Sequence, residues 1–232
     1  MILNLAHRGF SDEYPENTIL AFEKAKEAGF DGIELDVQLS RDGELVVIHD
    51  EELKRVTGEP GFVWDYTLEE LKQMKVLESC ACAVQRIPTL REYFEEIYPS
   101  EMITNIELKT SWNEYRGIEE KVLALIDEFD VREKIWISSF NHFSALRFKR
   151  LSPNIKCGLL EESRMVGMAE YAQGLNMDFL HPVYYTVTER YAQEALMRGL
   201  EIHAWTVNEG EEAHRLERMG VQAVIGNRPV VR

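Results

Sequence analysis

Along the chain, short apolar runs alternate with segments whose apolar residues recur every three to four positions. The runs predict strands at 2–7, 32–38, 45–49, 102–108, 135–139, 156–160, 178–181, 201–206 and 222–225. The longer period predicts helices at 18–28, 89–98, 115–128, 142–151, 164–173, 188–198 and 209–219. The first helix shows the logic: Asn17 or Thr18 can cap it, Ile19, Phe22 and Ala25 make one apolar face, and Gly29 ends it.

Nine strands do not fit a (β/α)8 barrel, but one junction removes the mismatch. Strands 32–38 and 45–49 are joined only by Ser40-Arg41-Asp42-Gly43, a tight-turn sequence. A parallel crossover needs a dozen or more residues, so this pair is an antiparallel hairpin. With 45–49 set aside as an excursion, eight strands remain, most followed by a helix. The expected fold is α/β, a (β/α)8 TIM barrel forming one domain over 1–232. An open doubly wound sheet is the alternative. Residues 50–88 break the rhythm, with one helical piece from Leu68 to Met74, and are expected to form an insertion over the barrel mouth.

Polar residues cluster where such barrels carry chemistry, at the C-terminal ends of strands. His7-Arg8-Gly9 closes the first strand, and Glu34-Leu35-Asp36 lies on the second. His49-Asp50 closes the hairpin, and Glu107-Leu108-Lys109 ends the next barrel strand. Residues i and i+2 of a strand face the same way, about 6.6 Å apart, so Glu34 and Asp36 share a side. Three converging carboxylates repel one another unless a cation lies between them. An all-oxygen set suits Ca²⁺ or Mg²⁺, with Mn²⁺ as a third option, better than Zn²⁺. His7 and His49 are then left to move protons, while Arg8 and Lys109 supply fixed positive charge. Together these groups suit hydrolysis of an anionic phosphate ester.

The same residues resemble a family. His7-Arg8-Gly9, Pro15-Glu16-Asn17-Thr18, Glu34-Leu35-Asp36-Val37, Asp42-Gly43, Val47-Ile48-His49-Asp50, Pro88-Thr89-Leu90 and Glu107-Leu108-Lys109 are similar, in order and spacing, to the glycerophosphodiester phosphodiesterases. Ser138-Ser139-Phe140 and Trp205-Thr206-Val207-Asn208 agree more loosely. The resemblance implies a phospholipase-C-like barrel that hydrolyses glycerophosphodiesters to glycerol 3-phosphate and an alcohol. It also implies one divalent metal on Glu34, Asp36 and Glu107, and His7 and His49 as acid and base. Arg8, Lys109, Phe140 and Trp205 become candidates for holding substrate. Many relatives end in Thr-Asp before the last proline, where this chain has Gly226-Asn227-Arg228-Pro229. The change is expected to leave the catalytic set untouched.

Other residues carry plainer expectations. Glu16 and Asn17 are expected to cap the following helix, and Trp112 and Tyr115 to pack at a helix start. His142, His181, His203 and His214 are expected in packing or surface roles, and Glu209, Glu211 and Glu212 at a solvated helix start. A net charge of −15 excludes a nucleic-acid binder with a basic face. Three cysteines, Cys80, Cys82 and Cys157, do not make a disulfide framework and fit a reducing compartment as free thiols. Ile2 opens a strand without a cationic or apolar leader, and no apolar run approaches a membrane span, so a cytoplasmic monomer or homodimer without membrane anchoring is expected. Two other functions compete. One is a lysophospholipase D using Phe62, Val63 and Trp64 at a lipid surface; the other is a metal- or phosphate-binding barrel without turnover.

Overall fold

The structure is a computed structural model that describes residues 2–77, 83–97 and 102–230. Cys80 and Cys82 lie outside the described residues. Nine strands occur among the described residues: β1 (Leu3–His7), β2 (Gly32–Leu39), β3 (Leu45–Val47), β4 (Ile103–Leu108), β5 (Ile135–Ser139), β6 (Lys156–Glu161), β7 (Phe179–Pro182), β8 (Glu201–Trp205) and β9 (Ala223–Gly226). All except β3 run parallel, and β1 pairs with both β2 and β9, which closes an eight-stranded barrel. β3 pairs antiparallel with β2 alone, as the short connection requires. The closed barrel matches the (β/α)8 expectation and removes the open-sheet alternative.

The helices are α1 (Ile19–Glu27), α2 (Lys54–Thr57), α3 (Leu68–Gln73), α4 (Leu90–Ile97), α5 (Ile118–Glu128), α6 (His142–Leu151), α7 (Met168–Gly174), α8 (Glu189–Leu196) and α9 (Gly210–Arg218). Two start later than their periodicity suggests. Tyr115 and Gly117 take φ of 41° and 87° ahead of α5, and Gly167 takes 77° ahead of α7. A left-handed residue cannot continue a right-handed helix, so the apolar period upstream belongs to loop. Thr18 caps α1, accepting from the Ala21 N–H. The capping expected of Glu16 and Asn17 is therefore wrong; both face the site instead.

Alternation along each strand divides the core. Ile33, Leu35, Val37, Ile106 and Leu108 point outward into the layer covered by the helices. Leu5, Trp136, Phe179, Ala223 and Ile225 fill the barrel interior. The segment after β3 has a small core of its own, built from Ile48, Leu53, Val56, Val63, Leu71, Val76 and Ile87. Helix α2, which is one turn long and follows no clear period, went unpredicted there.

Candidate active site

Strand register assembles the site. His7 lies beside Glu34 across β1–β2, Asp36 beside Glu107 across β2–β4, and Glu107 beside Ser138 across β4–β5. Parallel neighbours sit less than 5 Å apart, so residues distant in sequence share one rim. Glu34, Asp36 and Glu107 are all buried and each offers an oxygen within 4.8 Å of the others. Asp36 Oδ1 is buried with no hydrogen-bond partner. A compact set of oxygens with an unsatisfied lone pair fits a hard divalent cation, so the residues present can hold the metal expected from the sequence.

Electrostatics point the same way. Burial, reinforced by the charges of Asp36 and Glu107, pushes the Glu34 carboxyl well above its ordinary range. Burial also raises Glu107, against the opposing pull of Lys109. At Asp36 burial is outweighed by His49, Arg8 and Lys109, which hold its carboxyl well below the usual range. Three buried carboxylates cannot all ionise side by side unless positive charge joins them.

Both predicted histidines reach this place. His7 Nδ1 donates to the Asn227 side-chain oxygen at 2.7 Å. The last strand end thus touches a predicted catalytic residue, contrary to expectation: barrel closure brings β9 against β1, which a linear reading does not reveal. Burial, aided by Arg8, lowers His7 to about 4. His49 arrives by another route. The β2–β3 ladder stops at Val47, earlier than predicted, and the chain then turns toward the site. Gln38 Nε2 lies 3.0 Å from each of the carbonyl oxygens of Ile48, His49 and Asp50 and pins the turn. The Tyr115 hydroxyl donates to Gln38 Oε1 at 2.9 Å. His49 Nδ1 donates to Asp50 Oδ1 at 2.6 Å, and Lys109 Nζ lies 3.2 Å from His49 Nε2 and 3.0 Å from Glu107.

Arg8 sits at φ 57°, a left-handed turn that sends its N–H to Glu34 Oε2 at 3.0 Å. Its guanidinium lies 3.0 Å from Glu16 and 3.6 Å from Asp36. Glu16 also binds Arg55, which reaches Asp50 at 2.5 Å. An ionic chain therefore links the loop after β1 to the partner of His49. Asn17 donates to Asp36 Oδ2 at 2.8 Å. Gln38 and Arg55 escaped the sequence reading, because nothing local marks a residue whose partners lie on other segments. Glu16 and Asn17 stood inside a recognised motif, and that motif was the available signal.

His7, Arg8, Glu34, His49, Glu107, Phe140 and Trp205 all border one cavity of about 200 Å³. Phe140 and Trp205 meet edge to face at 5.6 Å, and Trp205 Nε1 donates to the His181 carbonyl at 2.8 Å. Asp36 and Lys109 are not part of this lining but lie against residues that are, Asp36 near Glu34 and Glu107, and Lys109 near His49 and Glu107. Trp112 is 66% exposed rather than packed at a helix start, and it joins Phe62 and Trp64 in an aromatic cluster. His142 and His214 do not border the cavity, whereas His181 does.

Comparison with known proteins agrees with this geometry. The profile of the glycerophosphoryl diester phosphodiesterase family matches residues 7–231. A glycerophosphodiester phosphodiesterase of Caldanaerobacter subterraneus is 42% identical over 229 residues, covering 98% of this chain and 94% of that protein. The solved phosphodiesterase of Oleispira antarctica, in complex with the product sn-glycerol-3-phosphate, superposes with a TM-score of 0.85 at 29% identity, covering 98% of this chain and 94% of that one. The glycerophosphodiester phosphodiesterase of Thermotoga maritima superposes at 0.77 with 31% identity, covering 98% and 95%. With its motifs, barrel and acidic site all in agreement, this chain belongs to the glycerophosphoryl diester phosphodiesterase family.

Proposed function

We propose that the protein hydrolyses glycerophosphodiesters to glycerol 3-phosphate and an alcohol, with a divalent cation on Glu34, Asp36 and Glu107 and proton transfer by His7 and His49. The observation that carries this reading is the shared cavity, bordered by His7, His49, Glu34 and Glu107 together. A bound Ca²⁺ or Mg²⁺ supplies charge stabilisation for the phosphoryl oxygens. Arg8 and Lys109 add fixed positive charge beside them, and Phe140 and Trp205 wall the substrate.

The partners of the histidines suit different roles. Asn227 is neutral and occupies His7 Nδ1, so the His7 Nε2 lone pair is left to take a proton from the attacking oxygen. Asp50 accepts from His49 Nδ1 and orients the ring, so His49 Nε2 is the atom that hands a proton to the leaving alkoxide. Lys109 shifts from His49 Nε2 to an anionic phosphate oxygen as this happens. The attacker is the glycerol 2-hydroxyl, with water opening the cyclic phosphate afterwards, or water directly. In either case one P–O bond forms as the P–O bond to the alcohol breaks.

The test is release of glycerol 3-phosphate from glycerophosphocholine by purified protein, after chelation and after return of Ca²⁺, Mg²⁺ or Mn²⁺. Turnover is expected to vanish with chelator and recover with metal, and the metal is expected to raise the melting temperature by binding the folded state alone. Turnover that survives thorough chelation removes the metal from the reading. The aromatic cluster favours a second substrate class, since Trp64 touches Tyr115, which supports the His49 turn through Gln38. Lysophosphatidylcholine in a parallel assay separates that lysophospholipase D reading from the first.

A further inference from the structure

The leaving alcohol of the proposed reaction lies on the His49 side of the site, because His49 hands it a proton. What adjoins His49 there is aromatic and acidic. Two residues on, the Glu51 carbonyl accepts from the Val63 N–H at 2.9 Å, and the Leu53 N–H donates to the Gly61 carbonyl at 3.0 Å. Residues 51–53 and 61–63 therefore lie side by side, with Glu52 opposite Phe62. Trp64 follows and meets Tyr115, whose hydroxyl donates to the Gln38 side chain that pins the His49 turn. Phe62 and Trp64 stack at 4.6 Å with their planes 3° apart, and Trp112 stands at 71° to one and 67° to the other. Trp112 keeps most of its surface in solvent, and an exposed aromatic cluster beside a reactive site marks a binding surface.

Negative charge fringes the same cluster. Glu51 is half-buried, and its carboxylate makes no hydrogen bond or ion pair among the described residues. Its field reaches both the site and the rings. Burial works against the charged Lys109 amine, yet Glu107, Asp36 and, more weakly, Glu51 raise it above its ordinary range. Burial raises the Tyr115 hydroxyl, and Glu51 and then Asp65 add to the rise. Asp65 Oδ2 accepts from the Phe62 N–H at 2.9 Å, on the same turn as the rings. The neighbouring cations are already held: Arg41 by Glu70 at 2.9 Å, Arg55 by Glu16 and Asp50, and Lys109 by Glu107 at 3.0 Å. Glu51 is left beside the aromatic faces without a cation of its own.

We infer that Trp64 and Trp112, with the Glu51 carboxylate, form a leaving-group subsite for a quaternary ammonium alcohol, so that the preferred substrate is a zwitterionic phosphodiester carrying its ammonium two carbons from the phosphate. This rests on the glycerophosphodiester reading and deepens it by naming the alcohol. The face of an aromatic ring attracts a cation, and tryptophan does so best. A quaternary ammonium has apolar methyl groups for those faces and no N–H that needs a hydrogen bond, so an unbonded carboxylate nearby suffices as its counter-charge. The two charges of the substrate then meet two poles, Arg8 and Lys109 for the phosphate, and the rings with Glu51 for the ammonium. An anionic headgroup is repelled by Glu51 and Asp65, and a polyol has neither charge nor methyl groups to offer. The acidic fringe and the net charge of −15 also oppose an anionic lipid surface at this place. The same ammonium occurs on water-soluble glycerophosphocholine and on lysophosphatidylcholine, and the assay separates the two.

The test compares kcat/KM of the full chain on glycerophosphocholine, on its neohexyl analogue, in which carbon replaces the ammonium nitrogen at equal size, and on glycerophosphoglycerol, with whichever of Ca²⁺, Mg²⁺ or Mn²⁺ supports turnover. Wild type is expected to prefer the choline ester over its neutral isostere by about threefold or more. Trp112→Ala and Glu51→Gln are each expected to remove most of that preference, lowering the choline ester by about 3- to 30-fold while glycerophosphoglycerol stays within about twofold. The retained glycerophosphoglycerol rate also shows that each variant is folded. Titration with tetramethylammonium chloride, against sodium chloride at equal ionic strength, is expected to quench wild-type tryptophan emission and to need several-fold more salt in Glu51→Gln. An equal loss on lysophosphatidylcholine supports the subsite and adds the lysolipid as a source of the ammonium. Equal wild-type rates on the choline ester and its isostere, or variants that lower all substrates alike, overturn the inference. A loss in Trp112→Ala confined to lysophosphatidylcholine in phosphatidylcholine vesicles, with soluble glycerophosphocholine unaffected, assigns the cluster to a lipid surface and overturns it too. If wild type turns over none of the diesters, the glycerophosphodiester reading falls and takes this subsite with it.

Discussion

The Asn227 side-chain oxygen accepts from His7 Nδ1 at 2.7 Å. An amide orients the ring without stabilising its charged form, and burial then holds His7 at about 4. Asn227→Asp places a carboxylate there and favours the imidazolium. The His7 pKa is expected to rise by about 1–3 units, so the acid limb of kcat/KM moves to higher pH and activity is lost earlier on acidification; a pH–rate profile reads this. His7→Ala and His49→Ala are each expected to lower turnover of glycerophosphocholine by about 10²–10⁴-fold. Single-turnover kinetics would show whether the loss lies in the chemical step, and turnover within a few-fold of wild type would remove the residue from the mechanism.

At the scale of elements, the β2–β3 hairpin is the device that places His49. Its ladder ends at Val47, and Gln38 gathers three successive carbonyls just beyond. Gln38→Ala leaves those groups without their donor and is expected to cost about 1–3 kcal/mol of stability, read by urea denaturation. Turnover is expected to fall with it while glycerol 3-phosphate still binds, because the anion-holding side on β1, β2 and β4 is intact. The hairpin itself was legible from four residues, Ser40 to Gly43, since so short a link permits only an antiparallel return. The late starts of α5 and α7 were not legible. Apolar spacing marks which residues face the core, and Tyr115 reaches the core from a left-handed turn that has no such signature.

Across the whole molecule, the barrel interior holds ionisable groups that burial moves far from their ordinary values. Burial lowers His181 and His203 and so keeps them neutral in the folded chain. In the unfolded chain they take up protons below about pH 6.5. The unfolded state then binds more protons, so these groups make stability fall as the pH drops through that value. Glu161, pushed up to about 7 by burial, works the other way and loses its contribution as the pH rises. Comparing His181→Phe with wild type isolates one histidine. Below pH 6.5 the wild-type stability is expected to fall more steeply, by up to about 1.4 kcal/mol per pH unit, in denaturant titrations across that range.

By itself the sequence determined the βα alternation, the hairpin, and the strand ends that carry His7, Glu34, Asp36, His49 and Glu107. These follow from period and turn chemistry, which are local, and from motif order, which lies along the chain. Tertiary structure alone decided the rest: that Asn227 reaches His7 when β9 closes on β1, that Arg55 completes the path from Glu16 to Asp50, and that His181, His203 and Glu201 line up inside the barrel. The contacts of Asn227 with His7, of Glu16 with Arg55 and of His181 with His203 depend on tertiary closure and register, which bring together side chains 22 to 220 residues apart and leave no mark on the sequence around either partner.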